Sequence, residues 1–139
     1  MIFFQSNNLI QTYKIANLVA QFLKGGDVIT LHGNLGAGKT AFASGIIKAL
    51  GVKKQVVSPT YNIIKEYKGF FDIYHLDMYR INSNDELYEL GIDDCFYSNS
   101  LVIIEWNKLN NLRENLISID INTIDFCTRQ IKIKGLSNL

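Results

Sequence analysis

Residues 28–50 have the sequence VITLHGNLGAGKTAFASGIIKAL, in which an apolar run, a glycine-rich loop and a second apolar pattern follow one another. Residues 28–31 form a short apolar run near glycines, which is typical of a strand buried on both faces. Helical spacing joins four apolar residues beyond the loop, namely Ala43, Ile46, Ile47 and Leu50. The stretch therefore predicts a strand, a loop and a helix, with Gly51 just beyond the helix end.

Residues 33–40, GNLGAGKT, match the GxxxxGK[ST] pattern of phosphate-binding loops. The glycines let successive backbone N–H groups turn toward a phosphate, and the start of the helix adds partial positive charge. Lys39 would then neutralise the β- and γ-phosphates, while the Thr40 hydroxyl would bind Mg²⁺. The pattern predicts binding of a nucleoside triphosphate, whereas the reaction depends on other residues.

Two carboxylates follow apolar segments of the chain. Glu105 ends the run LVII, and Asp77 ends the segment IYHL, so both are expected where strands end. One of them would bind the metal and the other would orient the attacking water, and the residues alone leave both assignments open. Thr60 follows Ser58-Pro59, where proline forces extended backbone, and is a third candidate facing the γ-phosphate. His75 is expected to be a packed or hydrogen-bonded histidine.

The rest of the pattern predicts one α/β domain over residues 1–139, with a mostly parallel central sheet, added antiparallel strands and helices on both faces. Further β segments are expected at 2–5, on either side of a hairpin at 68–70, and near 116–122 and 126–134. Ser6 and Ser83 are the expected helix caps. The helix that begins after Ser6 is expected to lie on another surface through the apolar stripe Leu9, Tyr13, Ala16, Ala20 and Leu23. The helix that begins after Ser83 has Leu87 and Leu90 on one face.

Composition narrows the class of protein. Hydrophobic residues make up 47% of the 139 residues and the net charge is +1, which excludes a disordered chain and bulk attraction to DNA or an anionic membrane. The two cysteines do not form a CxxC pair, which fits a reducing cytoplasm. The sequence predicts a cytoplasmic protein without a spanning segment.

Five blocks resemble the TsaE family, also called YjeE, in their order and spacing: GNLGAGKT (33–40), SPTY (58–61), HLDMYR (75–80), DELYELGIDD (85–94) and IIEW (103–106). Members of that family are small bacterial P-loop ATPases that take part in forming threonylcarbamoyladenosine (t6A) in tRNA, together with the TsaD and TsaB proteins. The resemblance implies a three-layer P-loop NTPase-like domain and a Mg²⁺-dependent ATPase. It also implies slow turnover alone, stimulation by TsaD and TsaB, and contact with tRNA through that complex.

The resemblance also implies roles for individual residues. Thr40 and Glu105 would hold Mg²⁺, and Asp77, Lys39 and Thr60 would be catalytic, with Asp77 organising the water. The implied nucleotide contacts are Thr12, Gly36, Ala37, Gly38, Lys39, Thr40, Ala41, Trp106 and Arg129. The chain departs from the family pattern at Asn34, commonly aspartate, at Ala41, commonly threonine, and at Lys108, often acidic.

Other functions compete with this interpretation. The segment NKLN at 107–110 imitates the guanine-reading motif N-K-x-D, which favours a GTPase-like switch, but asparagine replaces the aspartate that reads guanine. A small-molecule kinase would need an arginine-bearing lid, and no such insert is present in the sequence. A nucleotide-dependent assembly factor without essential hydrolysis is the non-enzymatic alternative.

Overall fold

A computed structural model describes residues 1–109 and 116–136. In this part of the chain seven strands form one sheet: β1 Ile2–Ser6, β2 Val28–His32, β3 Ile64–Lys68, β4 Asp72–Asp77, β5 Ser100–Glu105, β6 Leu116–Thr123 and β7 Arg129–Lys134. The helices are α1 Leu9–Ala20, α2 Lys39–Ala49, α3 Asn84–Glu89 and a 3₁₀ helix over Ile92–Cys95. The predicted α/β class is confirmed.

The sheet has the strand order β1-β7-β6-β2-β5-β4-β3 and is mixed. Its centre is parallel, because β6, β2, β5 and β4 pair in the same direction. The antiparallel strands lie outside this centre, where β3 pairs with β4, β7 with β6 and β1 with β7. Since the four parallel strands end at the same edge, polar residues that follow them come together there.

Both faces of the sheet are covered. Helices α1 and α2 pack on one face against the core that contains Ile29, Leu31 and Ile103. The short α3 and the 3₁₀ helix cover part of the other face, where Leu87 and Ile92 are fully buried. None of the helices in the described ranges is long and apolar enough to cross a membrane.

Three local predictions were wrong. Helix α1 is capped by Asn8, whose side chain accepts the Gln11 N–H at 2.8 Å, and it starts later than a cap at Ser6 would allow. The shift turns Leu9 and Tyr13 outward and buries Thr12, Ile15 and Val19, while Ala16, Ala20 and Leu23 are buried as expected. Strand β7 begins at Arg129 and not near residue 126, because the Asp125 side chain holds a turn by accepting the N–H groups of Cys127 and Thr128.

Four other local predictions are confirmed. Residues 28–31 lie in β2, and the segments on either side of the hairpin at 68–70 are the antiparallel pair β3 and β4. Gly51 follows α2 with a φ of +89°, which a glycine adopts without strain. Ser83 caps α3 by accepting the N–H of Glu86 at 3.4 Å.

Candidate functional site

The loop over residues 33–38 connects β2 to the first residue of α2, so it lies at the carboxyl edge of the parallel strands. Gly36 and Gly38 have φ values of +79° and +107°, which glycine adopts without strain. A Cβ atom added at either position would meet no other heavy atom within 4 Å. The loop therefore has open space beside Gly36 and Gly38. Its bends depend on the positive φ angles that these two glycines adopt.

The other side of the loop is packed against β6 and tied to β7. A Cβ atom on Gly33 would stand 2.5 Å from the Ile121 carbonyl oxygen, so only glycine fits at this contact. The Arg129 guanidinium donates through Nε to the Ala37 carbonyl at 3.0 Å and through Nη1 to carbonyls of its own turn. Arg129 thus braces the loop through its backbone.

Lys39 is the first residue of α2, and its side chain folds back over the loop. Its ammonium donates to the Gly33 carbonyl and, at 3.1 Å, to the Asn34 carbonyl, and lies 3.9 Å from the centroid of the Trp106 ring. Burial lowers the pKa of Lys39 from its ordinary value, and the negative charges of Glu105 and Asp77 oppose that shift. The residue is only 5% exposed, so little of its side chain contacts solvent.

Glu105 ends β5 with a buried carboxylate that two side chains contact. The Thr40 hydroxyl donates to its oxygens at 3.0 and 3.3 Å, and His75 Nε2 lies 2.6 Å from Oε2. Because an ionised carboxylate only accepts, His75 is the donor through Nε2. In the described part of the chain, His75 Nδ1 is buried and has no hydrogen-bond partner.

Asp77 ends β4 and lies directly opposite Glu105 in the parallel register. Its Oδ2 accepts the Thr60 hydroxyl at 3.1 Å, and its Oδ1 accepts the Tyr79 N–H at 2.9 Å. Its own N–H donates to the Ile63 carbonyl at 2.9 Å. Ile63 has a φ of +66°, a left-handed conformation that strains a β-branched residue, so the loop carrying Thr60 is held in a strained form.

Trp106 follows Glu105 and also has a left-handed backbone, with a φ of +56°. Its ring lies over the Lys39 ammonium and contacts the Tyr79 ring edge-to-face, with centroids 5.0 Å apart. With this backbone conformation the indole lies beside Lys39 and lines the site.

These elements line an open cavity of about 240 Å³. It is lined by Leu35, Gly36, Gly38, Lys39, Thr40, Ala41, Asp77, Glu105 and Trp106. The hydroxyl and carboxylate oxygens of Thr40 and Glu105 are hard ligands of the kind that Mg²⁺ prefers. Mg²⁺ is commonly held by one or two protein oxygens together with substrate phosphates, so this pair fits such an ion.

Some predicted site residues lie beside the cavity. The Thr60 hydroxyl donates to Asp77, which lines the cavity. Ala37 contributes to the loop through its backbone carbonyl, which accepts from Arg129. Thr12 is buried, and its hydroxyl shares a hydrogen bond of 2.6 Å with Ser6, whose backbone pairs with Arg129. These contacts connect Thr12 and Arg129 to the loop at one corner of the sheet.

The segment that imitates a guanine-reading motif is engaged in its own turn. The Asn107 side chain accepts the Leu109 N–H at 3.0 Å, and its amide nitrogen lies 3.5 Å from the Leu109 carbonyl. Asn110 lies outside the described residues. The Asn107 amide is thus used to hold the backbone of residues 107–109.

Sequence analysis missed two contributors to the site. Tyr79 packs on Trp106, and Lys108 donates to the carbonyls of Tyr79 and Ile81 at 3.0 and 2.6 Å. No spacing pattern in the sequence marks either contact, because each depends on how the turns after β4 and β5 meet. The sequence predicted that His75 would be packed or hydrogen-bonded, but not that its partner would be Glu105.

Together, the fold and site define an α/β protein with a glycine-rich loop, a lysine and two carboxylates at the carboxyl edge of a parallel strand group. The family model described as "Threonylcarbamoyl adenosine biosynthesis protein TsaE" matches residues 6–131. The chain belongs to the TsaE family.

Individual relatives agree with this assignment. The chain is similar to the tRNA threonylcarbamoyladenosine biosynthesis protein TsaE of Rickettsia felis, with 42% identity over 123 residues that cover 86% of this chain and 71% of the relative. The protein with the same description from Bacillus subtilis is 40% identical over 131 residues, which cover 92% and 82% of the two chains. The crystal structure of YdiB from Bacillus subtilis has a TM-score of 0.81 and 34% identity, covering 99% of this chain and 86% of that one.

Proposed function

We propose that this chain is a single P-loop NTPase-type domain over residues 1–139, which binds ATP with Mg²⁺ and hydrolyses it to ADP and phosphate. The observation that carries the proposal is the convergence of Lys39, Thr40, Asp77 and Glu105 on one cavity at the glycine loop. A lysine and loop amides suit a triphosphate, while a hydroxyl and carboxylate suit its metal. The cavity thus supports phosphoryl chemistry on a nucleotide.

Binding would rearrange Lys39. Its ammonium now rests on two loop carbonyls and the Trp106 ring, and it would exchange the carbonyl contacts for phosphate oxygens. Thr40 and Glu105 would hold Mg²⁺, which supplies positive charge beside the β- and γ-phosphates. Residues 36–41 would surround the phosphates, and Thr12, Trp106 and Arg129 would border the rest of the nucleotide.

Asp77 is the residue proposed to orient the attacking water. One of its oxygens is held by the Tyr79 N–H, and the other accepts the Thr60 hydroxyl. When Thr60 turns toward the γ-phosphate, that second oxygen becomes free to accept a hydrogen bond from water. The water would then form a bond to the γ-phosphorus while the bond from the γ-phosphorus to the ADP oxygen breaks. The protons of the water would leave with the released phosphate. This exchange would couple the loop of Thr60 to hydrolysis.

The biological setting follows from the family. The proposal is that the protein acts in the cytoplasm in t6A biosynthesis with TsaD and TsaB, and reaches tRNA through them. The cavity opens to solvent along the glycine loop, because Gly36 and Gly38 face open space. A partner that covers this side would exclude water from the site, so turnover is expected to be slow alone and faster in the complex.

Phosphate release measured with and without TsaB and TsaD tests the proposal. Asp77→Asn should retain ATP binding and lose most turnover, while Asp72→Asn, at the other end of β4, is the matched control and should retain turnover. An equal rate with and without partners would contradict the stimulated ATPase. Turnover retained by Asp77→Asn would remove Asp77 from catalysis, and ATP binding without any turnover in the complex would favour an assembly factor. Equal competition by ATP and GTP would favour the GTPase-like alternative.

A further inference from the structure

We infer that Lys108 is a positioning residue that fastens the turn after Asp77 to the segment after Glu105. The inference deepens the proposed function and rests on it for its kinetic effect. Lys108 is exposed and does not line the cavity over the glycine loop. Its influence must therefore pass through the residues it contacts.

Lys108 makes three contacts with the turn after β4. Its ammonium donates to the Tyr79 carbonyl at 3.0 Å and to the Ile81 carbonyl at 2.6 Å. Its backbone N–H lies 3.4 Å from the sulfur of Met78. Two backbone bonds also hold the turn: the Ile81 N–H donates to the Met78 carbonyl at 3.0 Å, and the Met78 N–H donates to the Glu105 carbonyl at 3.1 Å. Neither of them involves the Tyr79 or Ile81 carbonyl that Lys108 holds. One side chain thus holds two carbonyls of a turn that belongs to the neighbouring strand.

The turn in question directly supports Asp77 and Trp106. The Tyr79 N–H donates to Asp77 Oδ1, so the residue whose carbonyl Lys108 holds also orients the carboxylate. The Tyr79 ring packs on Trp106, which covers the Lys39 ammonium. Moving Tyr79 would therefore misdirect Asp77 and loosen the indole at the same time.

In this chain a cationic donor suits the two carbonyls that face the side chain of residue 108. An ammonium has three N–H donors and satisfies two carbonyl oxygens at once. A carboxylate here would place negative charge against the same oxygens and repel them. Since the ammonium is exposed, water competes with these bonds, and the expected effect is a reduction in rate rather than its abolition.

The test compares Lys108→Met with Lys108→Arg in the full chain. Methionine keeps an unbranched apolar stem without the charge, and arginine keeps the donors. Lys48→Met is the matched control, because Lys48 is also exposed and donates to a single backbone carbonyl, that of Lys54, outside the site. The measurements are kcat and KM for ATP in the presence of TsaB and TsaD, the emission spectrum of the single tryptophan, Trp106, and the thermal unfolding midpoint.

For Lys108→Met we expect kcat to fall about tenfold, the change produced by roughly 1.4 kcal/mol in the barrier. We also expect KM to stay within about twofold and Trp106 emission to move to longer wavelength. Arginine should restore kcat and emission, and Lys48→Met should change neither. The inference is overturned if Lys108→Met has the kcat and the Trp106 emission of the wild type. It is also overturned if both Lys108→Met and Lys48→Met lose kcat only in proportion to a lower unfolding midpoint.

The proposed function and this inference can fail separately. Wild-type protein that releases no phosphate with or without partners contradicts the ATPase proposal. The emission of Trp106 then decides the role of Lys108, because it reports the packing of Tyr79 in the protein without nucleotide. An unshifted spectrum in Lys108→Met overturns the inference, and a shift that arginine reverses supports it.

Discussion

Replacing Lys39 by methionine removes the ammonium from the phosphate loop and keeps most of the length of the side chain. A phosphate charge about 4 Å from the ammonium is worth ~4 kcal/mol at an effective dielectric constant near 20. In the proposed binding mode the wild-type lysine would give up its contacts with the Gly33 and Asn34 carbonyls, which would offset about 1 kcal/mol. The net loss of about 3 kcal/mol corresponds to roughly 100-fold weaker ATP binding.

Titration calorimetry with Mg²⁺ and a non-hydrolysable ATP analogue measures this loss directly. Calorimetry is preferred because the Lys39 ammonium lies 3.9 Å from the Trp106 ring, so the substitution alters tryptophan emission before any nucleotide is added. Lys48→Met, a lysine of the same helix away from the loop, should bind with wild-type affinity. An affinity of Lys39→Met within about fivefold of the wild type would refute the reasoning, since the ammonium would then not be facing phosphate.

Three other changes probe the supports of the site. His75→Leu should raise the Mg²⁺ concentration for half-maximal ATPase activity by about tenfold, because Glu105 loses the hydrogen bond that orients it. Phosphate release measured across a Mg²⁺ titration gives this concentration. An unchanged concentration would contradict the orienting role of His75. Gly33→Ala should lower the free energy of unfolding by at least about 2 kcal/mol, because the new Cβ would stand 2.5 Å from the Ile121 carbonyl oxygen. Urea denaturation measures this loss. An unchanged free energy of unfolding would mean that the loop moves away from Ile121 at little cost. Hydrogen bonds from two backbone N–H groups lower the pKa of Asp125 below 3.8, so the ionised form stabilises the fold above that pH and its contribution fades as pH falls through the lowered value. Acid unfolding curves should therefore be less steep for Asp125→Asn than for the wild type, and identical curves would argue against the turn contacts.

The sequence predicted the site region well because one short segment carried several independent signals. The glycine pattern, the apolar strand before it and the apolar helix after it all agree, and the structure has β2, the loop and α2 in those places. Asp77 and Glu105 were recognisable as strand ends because both follow apolar runs, and the parallel register places them opposite one another. Local patterns suffice where covalent order and strand direction determine which residues meet.

The remaining features depend on contacts that the sequence does not encode locally. Either Ser6 or Asn8 could cap α1 by residue type, and the sequence alone does not decide between them. In the structure Ser6 is the last residue of β1, and Asn8 is the cap. The left-handed backbone at Trp106 and Ile63 is unfavourable for both residue types, so only tertiary contacts explain it. The same holds for Lys108, whose acceptors lie 27 and 29 residues earlier in the chain.

The pairing of the first strand with the last has a consequence for how the molecule is made. β1 is hydrogen-bonded along its length to β7, so Ile2 meets Ile133 and Ser6 meets Arg129. During synthesis β1 therefore emerges long before its neighbour exists, and the chain between them must close as a long loop before that ladder forms. The contacts that join Ser6, Thr12 and Arg129 to the glycine loop therefore form late in synthesis. The nucleotide site stays incomplete until residues 129–134 have left the ribosome.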